Sequence, residues 1–312
     1  MGSNPTLSAI SSGTSQDGQL EDNPCQIIKV GPFNNANNRF KPSQVVFSPV
    51  SVRSGAKTAR VRGVSRMIVE SFEWRSAALT NPGLVRKVNE DAFLDAPEMG
   101  LWVVADGMGG HQAGDYASRL IVEQLGDVEN DAEPDVFLST VEARLQEVNT
   151  SLFEKAQASA STIGSTVVAL LAFKRYCLCL WAGDSRVYRL RNGEVEQITR
   201  DHSQVEELIA LGEIPREEAD SHPMANVITR AVGGASTLNL DANLQPLRNR
   251  DRIMLCSDGL YKDIGNEEIL EGLNQSDPER ACKRLVELAL RSGGGDNISV
   301  AVIDFLSTDS SF

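Results

Sequence analysis

The stretch LWVVADGMGGHQAGD, residues 101–115, carries an apolar run into Asp106 and then strips side chains from the residues that follow. A short, continuous apolar run of this kind suits a strand covered on both faces. The chain repeats the device at CLCLWAGDSR (177–186) and RIMLCSDGL (252–260), where Asp184 and Asp258 follow apolar runs. Asp296 stands between the glycines 293–295 and the run ISVAVI, and Asp91, in RKVNEDAF (86–93), leads into one more strand-like segment. Acidic residues far apart in the chain thus fall at the edges of what should be one core.

A carboxylate buried alone is costly unless it is paired or bound to metal. Converging anions repel one another, and a divalent cation is the simple remedy. The three histidines (111, 202, 222) show no HxxxH spacing, and the five cysteines (25, 177, 179, 256, 282) are scattered in or near apolar runs. Oxygen donors therefore predominate, which favours Mg²⁺ or Mn²⁺. Gly107 would offer a backbone carbonyl at no steric cost. Taken singly, Asp-Gly is a common turn, Asp115 reads as a helix-start residue, and Asp201 and Asp263 read as loop residues. The joint occurrence carries the metal reading.

Length and charge set the frame. The 312 residues accommodate one domain of about 240 residues plus an extension. A composition 41% hydrophobic and 23% charged is that of an ordinary globular protein. No apolar run reaches the roughly 18 residues of a membrane span. MGSNPTLSAISSG lacks a basic n-region followed by an apolar h-region, so a cytoplasmic protein is expected. The net charge of −13 argues against nucleic-acid binding. Residues 1–66 hold eight Lys/Arg and three Asp/Glu, net +5, whereas the remainder is net −18. Rich in Ser, Asn, Gly and Pro, the span 1–66 reads as a disordered basic extension. A basic tether for an acidic partner is the alternative, and SQVVFSPVSV (43–52) is a weak edge-strand candidate because of Pro49. The folded domain is expected over 67–306, followed by a tail, 307–312.

Within the domain, IVESFEWRSAAL alternates as a strand. Asp115–Leu125 and Asp135–Ala158 carry apolar residues three and four apart and read as amphipathic helices. STVVALLAF, YCLCLWA, RVYRL, RIMLCS and NISVAVIDF read as strands, with a hairpin turn at Asn192-Gly193. Helices are expected at HSQVEELIAL, stopped by Gly212, at NEEILEGL, and at DPERACKRLVELALRS between Pro278 and Gly293. Strands and helices gathered in blocks indicate α+β layers.

The segments RKVNEDAF, ADGMGGHQAGDYAS (105–118), GSTVVALL (164–171), AGDSRVYRL (182–190), NVITRAVG (226–233), CSDGLYKDI (256–264) and GGDNISVAVI (294–303) resemble, in order, the motifs of the metal-dependent serine/threonine protein phosphatases of the PPM, or type 2C, family in its bacterial form. The resemblance covers roughly residues 70–305. It implies an α+β sandwich of two antiparallel β-sheets flanked by α-helices on both sides, with metals at one end. It also implies that Asp106 bridges two Mg²⁺ or Mn²⁺ ions, with the Gly107 carbonyl on one. Asp91, Asp258 and Asp296 complete the shell, Glu90 acts through water, and Asp184 holds a third, weaker ion. Arg86 would bind the substrate phosphate, and 204–225 would form a substrate-selecting flap.

The implied activity is hydrolysis of phosphoserine and phosphothreonine in proteins, opposing a Ser/Thr kinase, by a monomer. The family's eukaryotic branch has DGHGG where this chain has Met108, so the general acid is open: His111 is one candidate and metal-bound water the other. SDGLYKD departs from the usual SDGLTD, a change expected to touch the rim and not the ligands. A cysteine phosphatase is excluded, because Gly31, Gly183, Ser185, Lys262 and Leu288 stand six residues after the cysteines, where CxxxxxR needs arginine. A catalytically silent binding module and a small-molecule phosphoesterase are the rival readings.

Overall fold

The computed structural model describes residues 27–29, 72–109, 113–129, 133–219 and 221–308. Its strands are β1 (Ile27–Lys29), β2 (Phe72–Asn81), β3 (Asp91–Ala96), β4 (Leu101–Gly109), β5 (Ile163–Ser165), β6 (Val167–Phe173), β7 (Tyr176–Ala182), β8 (Arg186–Arg191), β9 (Glu194–Gln197), β10 (Asp241–Pro246), β11 (Asp251–Cys256) and β12 (Ile298–Ser307). The helices are α1 (Ala113–Gly126), α2 (Pro134–Ser159), α3 (Gln204–Leu211), α4 (Asp258–Tyr261), α5 (Asn266–Leu273) and α6 (Pro278–Ser292). Among the described residues one sheet runs β1-β10-β7-β6-β4-β3, with β5 also on β4, and the other runs β2-β12-β11-β8-β9. The pairings are antiparallel.

The two-residue period of β4 explains why its run is apolar throughout. Leu101, Val103 and Ala105 pack on one face against Ile121 and Leu125 of α1 and Leu145 and Leu152 of α2. Trp102 and Val104 point the other way and join Leu170 and Trp181 against Ile253, Leu255, Ile303 and Phe305 of the second sheet. That sheet's outer face, with Met254, Val300 and Val302, is covered by Leu273, Leu285 and Val286 of α5 and α6. The result is the expected sandwich, with helices on both outer faces.

Local signals hold where they were read. Asn192 and Gly193 take positive φ values of 54° and 83°, as a tight hairpin requires. Asp277 caps α6, its side chain accepting from the Arg280 amide at 2.9 Å, and Gly293 follows the helix. Three strands, β1, β5 and β10, are additions. The strand β10 carries Asn243 and Gln245 in buried positions, where their side chains hydrogen-bond each other at 2.8 Å. The strand β1, which pairs with β10, falls inside the span 1–66 read as a disordered extension. The candidate edge strand at 43–52 lies outside the described residues.

Leu170 is fully buried between the sheets. Leu170→Ala is expected to cost about 2–5 kcal/mol, read as a lower urea midpoint with an unchanged slope.

Candidate metal centre

The site is built where strands stop. Asp91 and Asp106 are direct partners in the β3–β4 register, which sets their side chains on one face about 5 Å apart at Cβ. Within the second sheet, Cys256 pairs with Val300. The β11–α4 junction, Ser257-Asp258, is therefore brought beside Asp296-Asn297 at the start of β12.

Two polar residues from the second sheet tie these ends to the first. Ser257 donates through Oγ to Asp91 Oδ2 at 2.7 Å, and its Oγ accepts from the Ser299 amide at 2.9 Å. Asn297 Oδ1 accepts from the Glu90 amide at 2.8 Å, while its Nδ2 donates to the carbonyls of Pro82 (3.0 Å) and Val88 (3.1 Å). Neither residue was singled out from sequence, although both sit inside the quoted motifs. The Asp106 backbone is gripped as well: Thr166 Oγ1 accepts from its amide at 3.1 Å, and the Thr166 amide and Ser165 Oγ donate to its carbonyl at 2.8 and 2.9 Å. Gly107 is there because nothing larger fits. A Cβ on it would lie 2.1 Å from the Gly114 carbonyl oxygen and 2.6 Å from that of Glu90.

The electrostatics follow from burial and like charge. Burial, followed by the charges of Asp258 and Asp296, raises Asp91 to about 7, against the hydrogen bonds from Ser257 and Ser299. Asp106 is pushed well above the usual carboxylate range by burial and then by Asp91, Asp258 and Asp184. Asp184 rises to about 6, from burial and then Asp258, with Lys262 opposing. The carboxylates thus share one neighbourhood. As placed, no group of three acidic, histidine or cysteine side chains among the described residues is arranged to clasp an ion. Their oxygens are instead turned to protein partners. Arg86 Nη2 lies 2.7 Å from Asp296 Oδ2, and Lys262 Nζ lies 2.5 Å from Asp258 Oδ2 and 3.7 Å from Asp184 Oδ2. Among the described residues, Asp91 Oδ1 is buried without a hydrogen bond. An orphaned carboxylate oxygen, an oxygen-rich donor set and mutual repulsion fit a hard divalent cation.

The structure corrects the sequence reading at Lys262 and adds to it at two loop residues, Asp201 and Asp263. The SDGLYKD departure was expected to affect only the rim, yet Lys262 contacts two of the carboxylates directly. Asp201, read as a loop residue, is buried and gripped by Arg186 through contacts of 2.7 to 3.0 Å. Asp263 accepts from the Gly295 amide at 3.1 Å and so helps to hold the glycine turn before Asp296. His111 lies outside the described residues.

A family model described as Protein phosphatase 2C matches residues 85–288. The Listeria monocytogenes serine/threonine phosphatase stp is 34% identical over 235 residues, covering 72% of this chain and 93% of its own. The chain belongs to the protein phosphatase 2C family. The Mycobacterium tuberculosis serine/threonine protein phosphatase PstP is 37% identical over 237 residues, or 75% of this chain; the chain spans only 46% of that relative's length. Among solved structures, PppA, described as a key regulatory component of T6SS in Pseudomonas aeruginosa, superposes with a TM-score of 0.71 at 44% identity. It matches over 76% of this chain and 100% of that one. The PstP catalytic domain in complex with two manganese ions gives 0.68 at 35% identity, over 76% and 100%.

Asp91 and Asp184 keep protons in the fold at pH values where an unfolded carboxyl, near pH 4, has lost them. Their contribution to stability is full below about pH 4 and is lost as the pH rises through about 6 and about 7. In chelator, the melting temperature should fall between pH 5 and pH 8, and Asp91→Asn should shrink that fall. Equal slopes for the two proteins would contradict the assignment.

Proposed function

We propose that the chain hydrolyses phosphoserine and phosphothreonine in proteins, using two Mg²⁺ or Mn²⁺ ions. The observation that carries the reading is the Asp91–Asp106 pair in one strand register, with Asp258 and Asp296 near enough to raise Asp91. The family membership and the manganese complex of PstP support it.

Asp91, Asp106, Asp258 and Asp296 would hold the ions, with the Gly107 carbonyl beside them and Glu90 acting through water. When bound, the ions supply a water of lowered pKa and neutralise charge on the phosphoryl group. The chain's own residues do the rest. Ser257 and Asn297 fix the carboxylate-bearing ends in place. Arg86, with a side chain 54% exposed and held among the described residues at Asp296, is free to turn a two-pronged guanidinium to a substrate phosphate. The segment 204–225, which carries α3 and a 3-10 turn at Arg216–Glu218, would form the flap. Glu206 braces it by accepting from Arg216 at 2.6 Å and Arg200 at 3.0 Å. The leaving serine or threonine oxygen needs a proton, and His111 or bound water would provide it.

The partners that follow are phosphorylated proteins and a Ser/Thr kinase that makes them, with a cytoplasmic monomer as the acting form. Among the described residues no helix is long and apolar enough to cross a membrane.

Purified protein should release phosphate from phosphopeptides in Mn²⁺, lose that activity in chelator, and prefer phosphopeptides to nucleotides. Asp258→Asn should lower turnover by at least about 100-fold, since even partners that only orient ligands cost 10–100-fold, while the melting temperature in chelator is kept. Arg86→Ala should act mainly on KM. Turnover that survives both chelator and Asp258→Asn would end the proposal.

A further inference from the structure

The third ion expected at Asp184 meets an obstacle in this chain. Lys262 Nζ lies 3.7 Å from Asp184 Oδ2 and 2.5 Å from Asp258 Oδ2. Asp258 and Lys262 are four residues apart at the start and end of α4, where such a pair is common and weak. The reach to Asp184 is different. Asp184 comes from the β7–β8 turn, 78 residues earlier than Lys262 in the chain, and no helical repeat brings the two together.

The placement is built from several sides. The Lys262 amide donates to the Asp258 carbonyl at 3.0 Å. Tyr261, its neighbour, donates through Oη to the Asp184 carbonyl at 3.0 Å. The Arg186 guanidinium lies 3.5 Å from the centre of the Tyr261 ring and is itself fixed by Asp201. The short helix is thereby held against the Asp184 turn. The Lys262 side chain is only 35% exposed, and the acidic groups facing it are Asp258, Asp184 and Asp106. An ammonium group is a compact point charge with three donors and no acceptor. It can answer two carboxylates at once: at Asp258 it engages Oδ2 and leaves Oδ1 to an ion, whereas beside Asp184 it would stand in the place of a third divalent ion, whose charge it would repel.

We propose that Lys262 fills, with its own ammonium group, the place beside Asp184 where a third divalent ion would sit, so that this chain binds two ions and not three. The proposal rests on the phosphatase reading and narrows it. Asp184 becomes a partner of Lys262 and a positioning residue for α4, which carries Asp258. The chain then needs no third ion to order that end of the site.

The test counts ions. The full chain is titrated with Mn²⁺, with uptake followed by calorimetry and by the electron paramagnetic resonance signal of the free ion. The wild type should take up two ions. Lys262→Met, close in length but uncharged, should take up a third, with an affinity at least about tenfold tighter than any binding beyond two in the wild type. Lys262→Met combined with Asp184→Asn should return to two. Melting curves in chelator confirm that each variant is folded, and Lys262→Gln replaces the methionine variant if that one is not. A wild type that binds three ions, or a Lys262→Met protein that binds two with wild-type affinities, overturns the proposal. A wild type that binds none overturns the phosphatase reading itself, so the two failures are distinguishable.

Discussion

The arrangement depends on one electrostatic constraint: several carboxylates from distant parts of the chain must end in the same partly buried place. Such a cluster is self-repelling, and the fold meets the repulsion in three ways. Protons stay on Asp91 and Asp184 to unusually high pH. Hydroxyl and amide donors from Ser257 and Asn297 stitch the strand ends. Cationic side chains, Arg86 and Lys262, stand against Asp296, Asp258 and Asp184. Each of these is a substitute for a divalent ion, and each leaves part of the cluster unanswered, most plainly the orphaned Asp91 Oδ1. That unbalanced charge is what a bound divalent ion would answer.

The same contacts hold the two sheets in register with each other. Ser257 and Asn297 belong to the second sheet's strand ends, whereas Asp91 and Glu90 belong to the first. The apolar interior, with Trp102, Trp181 and Phe305, supplies most of the adhesion between the sheets but sets no fine alignment. Hydrogen bonds at the mouth do, because they are directional. Assembly of the sandwich and assembly of the site are therefore one event. A change that loosens Ser257 or Asn297 would act on both.

Much of this was legible in the sequence for a plain reason. Apolar runs such as LWVVA and RIMLC are covered on both faces, and an aspartate closing such a run stands out against them. What was not legible has equally physical causes. The strand β10, with Asp, Asn, Gln and Pro in six residues, has no apolar period, because its buried Asn243 and Gln245 satisfy each other and the Ile198 carbonyl. Asp201 gave no sign of burial because its partner, Arg186, is fifteen residues away. Lys262 looked peripheral because its contact with Asp184 depends on how α4 is seated, which no spacing rule encodes.

The seating of α4 shows how a family pattern can be kept while its chemistry is redistributed. The ligand-type residue Asp258 opens the helix, and the residue that departs from the usual motif, Lys262, closes it. With only three residues between them, the helix cannot place one without placing the other. Tyr261, held between the Asp184 carbonyl and the Arg186 guanidinium, fixes the rotation of that single turn. A cation delivered this way is always present, independent of ion concentration, and it carries one charge where a metal ion would carry two. It tethers Asp184 without drawing a further water towards the phosphoryl group. If the proposal holds, the phosphatase chemistry would lie on the Asp91–Asp106 side of the site, and the Asp184 side would serve to hold Asp258 in line.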